Sequence, residues 1–138
     1  MSGSIAGGSG LLKFTKLDYS RLMDVSETLK AIADPNRLRI LNLLAGGRTL
    51  CVCDLEEILG LNQSNLSRHL AKLRQFDLVS AQKRGLFMYY TRLSVAMPYG
   101  PAIEALYRTV ETDPQWQADR DALAARLTNA TEPSTTCC

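Results

Sequence analysis

Several features that define other classes of protein are missing from this sequence of 138 residues. It has no apolar run of about 18 residues, the length that a membrane-spanning helix needs. The first ten residues are rich in Gly and Ser and lack the basic and apolar regions of a signal peptide. The single histidine, His69, has no histidine partner at the spacing of metal ligands. We therefore expect a cytoplasmic protein without a membrane span and without a histidine-based metal site.

Cysteine is also scarce, and its four copies lie in two close pairs, Cys51 with Cys53 and Cys137 with Cys138. In a reducing cytosol, closely spaced cysteines are more often ligands or redox centres than structural disulfides. A small thiol enzyme would need an oxyanion-binding loop beside its nucleophile. No Gly-rich or Arg-bearing loop follows any of these cysteines, so we expect no enzyme activity and no catalytic residues.

Charge is unevenly distributed along the chain, although its formal net charge is only +2. The segment 62–92 contains six basic residues and one acidic residue, whereas the segment 111–132 contains two basic residues and five acidic ones. A concentrated positive segment suits a polyanionic partner, and an ordinary solvated basic surface is the alternative. Charge alone leaves these two interpretations open.

Apolar residues spaced by three and four positions predict a series of amphipathic helices. The predicted helical segments are 22–32, 35–44, 54–59, 62–76, a helix that begins near residue 101, and 114–127. Asp34 is expected to cap the second helix, with Pro35 at its first position. Only Gly60 and Leu61 separate the third and fourth helices, which is the spacing of a helix-turn-helix.

Two strands, 78–82 and 86–91, are predicted directly after the helix-turn-helix, around a tip at 83–85. Residues such as Tyr89 favour strands, and Gly85 can adopt the positive φ of a tight hairpin. The predicted fold is mainly α with a small β-hairpin wing, a winged helix-turn-helix. The predicted organisation is a flexible leader at 1–18, a folded domain at 19–127 and a flexible, Cys-terminated tail at 128–138.

The start of the fourth helix has the side chains of a DNA-recognition helix, which presents short polar groups near its N-terminus. Gln or Asn can bind adenine through two hydrogen bonds, and Arg can bind guanine. The candidate DNA-binding residues are Gln63, Ser64, Asn65, Ser67, Arg68, His69 and Lys72 in the helix and Lys83 and Arg84 in the wing. The alternatives are a solvated surface helix and a winged helix that binds proteins instead of DNA. For His69 alone, simple solvent exposure is the alternative.

At this point the sequence resembles the ArsR/SmtB family of metalloregulatory repressors. Three stretches carry the resemblance: LKAIADPNRLRILNLL at 29–44, LCVCDLEEILGLNQSNLSRHLAKLRQFDLV at 50–79, and KRGLFMYY at 83–90. The resemblance implies a homodimer paired through its first and last helices and bound to double-stranded operator DNA. It also implies repression without ligand and dissociation when As(III) or Sb(III) binds. The CVCD motif implies that Cys51 and Cys53 are ligands of that ion.

One position departs from the common arsenic-sensing pattern CVCDLC, because Glu56 stands where that pattern has its third cysteine. A pyramidal As(III) site prefers three thiolates. We therefore expect a further ligand from Cys137 or Cys138, in the same subunit or its partner. Residues two apart in a helix point about 200° apart, so capture by Cys51 and Cys53 requires a non-helical start to this segment. The alternative signals on the same fold are Cd(II) or Pb(II), and thiol oxidation; no cofactor is expected for DNA binding itself.

Overall fold

The computed structural model of the chain describes residues 23–95 and 99–129. The chain divides into two compact units, residues 1–30 and 31–138. The described helical residues 23–32 are α1, and its charged pair Lys30–Glu27 lies in the first unit. The elements that follow are α2 (Pro35–Leu43), a 3₁₀ turn (Ala45–Gly47), β1 (Thr49–Cys51), α3 (Val52–Leu59), α4 (Gln63–Gln75), β2 (Val79–Arg84), β3 (Phe87–Arg92), α5 (Gly100–Thr109) and α6 (Pro114–Asn129). None of the described helices has the length and apolar character needed to span a bilayer.

Helix α2 begins where the sequence predicts. The Asp34 side chain accepts hydrogen bonds from the backbone N–H groups of Asn36 at 2.9 Å and Arg37 at 3.1 Å. These bonds satisfy two of the donors that the first turn of a helix leaves without an intrahelical partner. Leu41 and Leu44 are fully buried, as expected of an inward-facing stripe. The Asp34–Pro35 prediction is therefore confirmed.

The sheet has three antiparallel strands in the order β1-β3-β2, where the sequence predicted only the hairpin. Strand β1 pairs with the wing strand β3, so that Cys51 lies opposite Tyr89. Three residues are too few to show the alternation by which a strand is recognised in a sequence. The hairpin turn also differs, because Arg84 pairs with Phe87 and the turn is therefore Gly85-Leu86, with Gly85 at φ 64°. Lys83 and Arg84 lie at the end of β2 and not at the tip.

The two C-terminal helices pack on the same chain in different ways. Helix α5 buries Ile103 and Tyr107 but leaves Leu106 40% exposed. Helix α6 buries Trp116 and Leu123 and continues through Asn129, two residues beyond the predicted domain boundary. The predicted leader 1–18 lies outside the described residues, as do positions 130–138 of the predicted tail.

Candidate nucleic-acid interface and cysteine site

The connection between α3 and α4 is the turn of a helix-turn-helix. Gly60 ends α3 in the left-handed conformation at φ 67°, and Asn62 begins α4 by accepting a 2.8 Å hydrogen bond from the backbone N–H of Asn65. The side chains of α4 that face the core are Leu66, Leu70 and Leu73. Their burial determines which side of α4 faces solvent, and this is the side on which the polar residues lie.

The first two turns of α4 form the candidate reading surface, and their outward side chains are polar. Gln63, Ser64, Ser67 and Arg68 are exposed. Asn65 is half-buried, and its Oδ1 accepts a hydrogen bond from the Arg68 guanidinium. The unpaired backbone N–H groups of a helix N-terminus favour anions such as phosphates. These five predicted residues therefore lie together on one outward surface.

His69 and Lys72 are half-buried and have partners within the chain. His69 Nδ1 is 3.2 Å from the Arg37 Nη1 and 3.9 Å from the Asp34 carboxylate, and 18% of the His69 side chain is exposed. This cluster connects α4 to the start of α2. Lys72 Nζ lies 5.2 Å from the centre of the Phe76 ring, an attractive cation–π contact. Both side chains thus have intramolecular partners that the sequence pattern did not reveal.

The wing contains an arginine that contacts neighbouring side chains, and an exposed leucine lies near it at the turn. The Arg84 guanidinium lies 5.0 Å from the centre of the Tyr89 ring, and its Nη2 donates a 3.1 Å hydrogen bond to Gln82 Oε1. Lys83 is exposed on the same strand. Leu86 at the turn is 90% exposed, and no pattern in the sequence indicates that it would occupy the tip. A partner that approached the wing would meet two cations and one apolar side chain.

Cys51 lies at the junction of the sheet and α3. It is buried, with extended backbone angles of φ −70° and ψ 148°, and it is disulfide-bonded in this structure. Cys53 is half-buried in the first turn of α3. The non-helical start that joint capture requires is thus present at Cys51. Cys137 and Cys138 lie outside the described residues, and within 23–95 and 99–129 no three potential ligands among His, Cys, Asp and Glu are grouped for a metal ion.

Helix α6 is ion-paired to the helix that carries Cys53. Arg126 of α6 donates hydrogen bonds to the carboxylates of Asp54 and Glu57 in α3. The hydrogen bond to Asp54 raises the pKa of Arg126 above its ordinary value. Asp54 directly follows Cys53, so this contact anchors the backbone next to a candidate ligand. Arg126 and Asp54 are 72 positions apart, and no local pattern in the sequence predicts their contact.

A second ion pair fixes α6 to α2. Arg39 donates two hydrogen bonds to Asp119, at 2.8 Å and 2.9 Å, and Asp119 is buried. The hydrogen bond to Asp119 raises the pKa of Arg39. Arg39 Nη1 also lies 3.5 Å from the carbonyl oxygen of Leu59, the last residue of α3. One guanidinium therefore connects three helices, and it links the end of α3 to α6 through α2.

Comparison with known proteins agrees with this architecture. The family described as "Bacterial regulatory protein, arsR family" matches residues 34–81. The arsenic resistance transcriptional regulator ArsR2 of Pseudomonas putida is 36% identical over 103 residues, which is 75% of this chain and 85% of that protein. The arsenical resistance operon repressor of Escherichia coli K12 is 37% identical over 103 residues, 75% of this chain and 81% of that protein.

The fold has a counterpart among solved structures. Reduced HlyU from Vibrio cholerae N16961 superposes with a TM-score of 0.58 at 34% identity, over 68% of this chain and 96% of that one. The helix-turn-helix, the antiparallel wing and the two relatives that align over most of their length identify the same class of protein. The chain belongs to the arsR family of bacterial regulatory proteins, the winged helix-turn-helix DNA-binding repressors.

Proposed function

We propose that this chain is a cytoplasmic repressor that binds operator DNA and blocks transcription. It dissociates from the operator when As(III) or Sb(III) binds the thiolates of Cys51 and Cys53. We propose Cys137 or Cys138 as the source of a third thiolate. The names of the two aligned relatives favour arsenic over Cd(II) and Pb(II) as the inducing ion.

One observation carries the proposal: Cys51 belongs to two elements that lead to the candidate DNA surface. On one side it pairs with Tyr89 in the wing strand, and on the other it precedes α3, which leads into α4 through a three-residue turn. An ion that draws Cys51 and Cys53 together must act on the start of α3. Coupling of about 1–3 kcal/mol between two sites changes affinity about 5- to 150-fold, which is sufficient for release.

Direct DNA contacts are proposed for the exposed polar residues. Arg68 is suited to guanine, and Lys83 and Arg84 are suited to phosphates. Arg68→Ala is expected to relax base preference, at a cost of about 1–3 kcal/mol. Lys83→Ala is expected to weaken all duplexes alike and to lower the salt slope by about one. His69 and Lys72 stay predicted contacts, and their intramolecular partners favour indirect roles.

A homodimer is part of the proposal, because two-fold symmetry matches two half-sites of an operator. Helix α6 buries Trp116 and Leu123 within its own chain but leaves Leu127 exposed, and α5 leaves Ala102, Ala105 and Leu106 exposed. We propose that the first helix and the C-terminal helices form the dimer contact, with Leu106 of α5 as one of its apolar side chains. Sedimentation of Leu106→Glu should show dissociation, and Leu86→Glu at the wing tip is the matched control.

The test of induction is a mobility-shift assay on the DNA upstream of the gene, with arsenite titrated under reducing conditions. Cys51→Ser and Cys53→Ser should each bind DNA and fail to release it, while Val52→Ala between them should respond normally. Glu56 lies one helical turn after Cys53, on the same side of α3. Glu56→Cys should therefore restore release to a chain that carries both Cys137→Ser and Cys138→Ser. Release of Cys51→Ser by arsenite would contradict the ligand assignment.

Thiol oxidation is the second candidate signal, because closely spaced cysteines can be oxidised to a disulfide. Both candidates require Cys51, so the Cys51→Ser variant does not separate them. A phosphine reductant separates the two signals. Release of DNA by arsenite should persist in its presence. Release by peroxide should be abolished and should return when the reductant is removed. Release by peroxide alone would make oxidation the signal.

A further inference from the structure

A cleft lies between the 3₁₀ turn that follows α2 and the C-terminal half of α6. Its volume is about 460 Å³, within the range of about 300–1,000 Å³ that is usual for small-molecule sites. Its lining is apolar except for two guanidinium groups: Ala45, Arg48, Arg120, Leu123, Ala124 and Leu127. Among the described residues that line it, none is acidic.

The two arginines of this cleft are held by neutral groups. Arg48 Nη1 donates a 2.8 Å hydrogen bond to the carbonyl oxygen of Leu43, and Arg120 Nε donates a 2.8 Å hydrogen bond to Asn42 Oδ1. Asn42 is only 1% exposed and its amide donates to the carbonyl oxygen of Trp116 at 3.2 Å, so Arg120 has a rigid acceptor. Among the described residues, both guanidinium groups are thus oriented by neutral acceptors and not by a carboxylate.

Other arginines of the chain contrast with this pair. Arg39, Arg92 and Arg126 each form a salt bridge with a carboxylate. Within the part of the chain that the structure describes, no carboxylate lies within salt-bridge distance of Arg48 or Arg120. Two uncompensated positive charges that line one cleft favour an anion, and the planar fork of Arg matches a carboxylate.

The apolar side chains of the cleft indicate which kind of group the rest of the ligand must carry. Leu123 is buried beneath it, and Leu127 at its rim is 48% exposed. We propose that this cleft binds a small organic carboxylate whose body is apolar. The carboxylate binds Arg48 and Arg120, and its aromatic or branched aliphatic body covers the leucine side chains.

This site is separate from the proposed DNA surface. Arg48 directly precedes Thr49, which pairs with Thr91 at the far end of the sheet from the Gly85-Leu86 turn. Five residues of strand between Leu86 and Thr91 span about 17 Å. No residue of α4, β2 or β3 lines the cleft. The inference therefore holds whether or not the proposed response to arsenic is correct.

The test is calorimetric titration of the full chain with benzoate, alongside benzyl alcohol and benzamide, which have the same ring without the negative charge. Benzoate should bind with a Kd of about 1 mM or tighter and the neutral compounds at least tenfold more weakly. Arg48→Met should weaken benzoate binding at least tenfold, and Arg74→Met, an exposed arginine of α4, should leave it unchanged. Arg120→Met is the second test, and circular dichroism checks its fold because Arg120 also bonds to Asn42.

Three outcomes would contradict the proposal. Absence of saturable benzoate binding up to about 10 mM would overturn the proposal. Equal binding of benzoate and benzyl alcohol, or an unaltered benzoate affinity in Arg48→Met, would overturn it as well.

Discussion

Asp119 is a buried carboxylate of α6, only 3% exposed, and both of its oxygens accept hydrogen bonds from Arg39 of α2. Gln115 donates a further hydrogen bond of 3.0 Å to Asp119 Oδ1. Asp119→Asn keeps the shape of the side chain but removes its charge and replaces one acceptor oxygen by a donor NH₂ group. Arg39 then retains its charge without a counter-ion, in a position where only 19% of its side chain is exposed.

The expected decrease in the free energy of unfolding follows from the loss of the two charge-assisted hydrogen bonds. Removing one partner of a buried ion pair costs about 3–5 kcal/mol, because it leaves the other charge uncompensated. Since Arg39 retains some contact with water, we expect the lower end of this range, about 3 kcal/mol. Urea unfolding measures it, and the single tryptophan, Trp116, reports the packing of α6 directly by its fluorescence.

The matched control is Asp121→Asn on the same helix. Asp121 is exposed and accepts one hydrogen bond from Gln117 at 3.1 Å, so its replacement should change the free energy of unfolding by less than about 0.5 kcal/mol. If the two variants unfold at the same urea concentration, the Arg39–Asp119 contact does not stabilise α6 and the reasoning fails. Arg39→Met with Asp119→Leu should recover most of the lost stability, because an apolar pair leaves no buried charge.

Three further substitutions test separate features by urea unfolding. Asp34→Ala should cost about 1 kcal/mol by removing the cap of α2, while Asp34→Asn should be nearly neutral. Gly60→Ala should cost about 1–2 kcal/mol from backbone strain alone, since no atom lies within 4 Å of the added methyl group. Burial raises the pKa of Tyr107 from 10.0 to about 12, so the proton is held more tightly in the folded state. The contribution of Tyr107 to the free energy of unfolding should therefore be fully present below pH 10 and fall by about 2–3 kcal/mol towards pH 12. Tyr107→Phe should abolish that fall.

The helix-turn-helix was predictable because its signals are local. Asp34 with Pro35, Gly60 as a terminator and Asn62 as a cap each act within a few residues along the chain. The leucines of α4 repeat at the helical period, and this determines which side of the helix is buried. The exposed residues of the candidate reading surface follow from that burial, so they too could be predicted.

The contacts that support the cysteine segment could not be predicted. Strand β1 exists because β3 is beside it, and its three residues show no alternation of their own. The Arg126–Asp54 and Arg39–Asp119 ion pairs join residues 72 and 80 positions apart. Charge patterns show that such residues are present but do not show which pairs meet. The tertiary fold alone brings α6 to the start of α3 and Arg39 of α2 to its end.

Cys51 and Cys53 therefore differ in how far they can move. Cys51 is buried and its strand is hydrogen-bonded to β3, so its displacement would disturb a ladder and a packed core. Cys53 is half-buried in the first turn of a helix, where backbone N–H groups lack intrahelical acceptors. Ion capture should then draw Cys53 towards a fixed Cys51 and unwind the start of α3 against the Arg126–Asp54 contact. The ion pair resists this movement at the start of α3, and the three-residue connection at the other end of α3 transmits any displacement to α4.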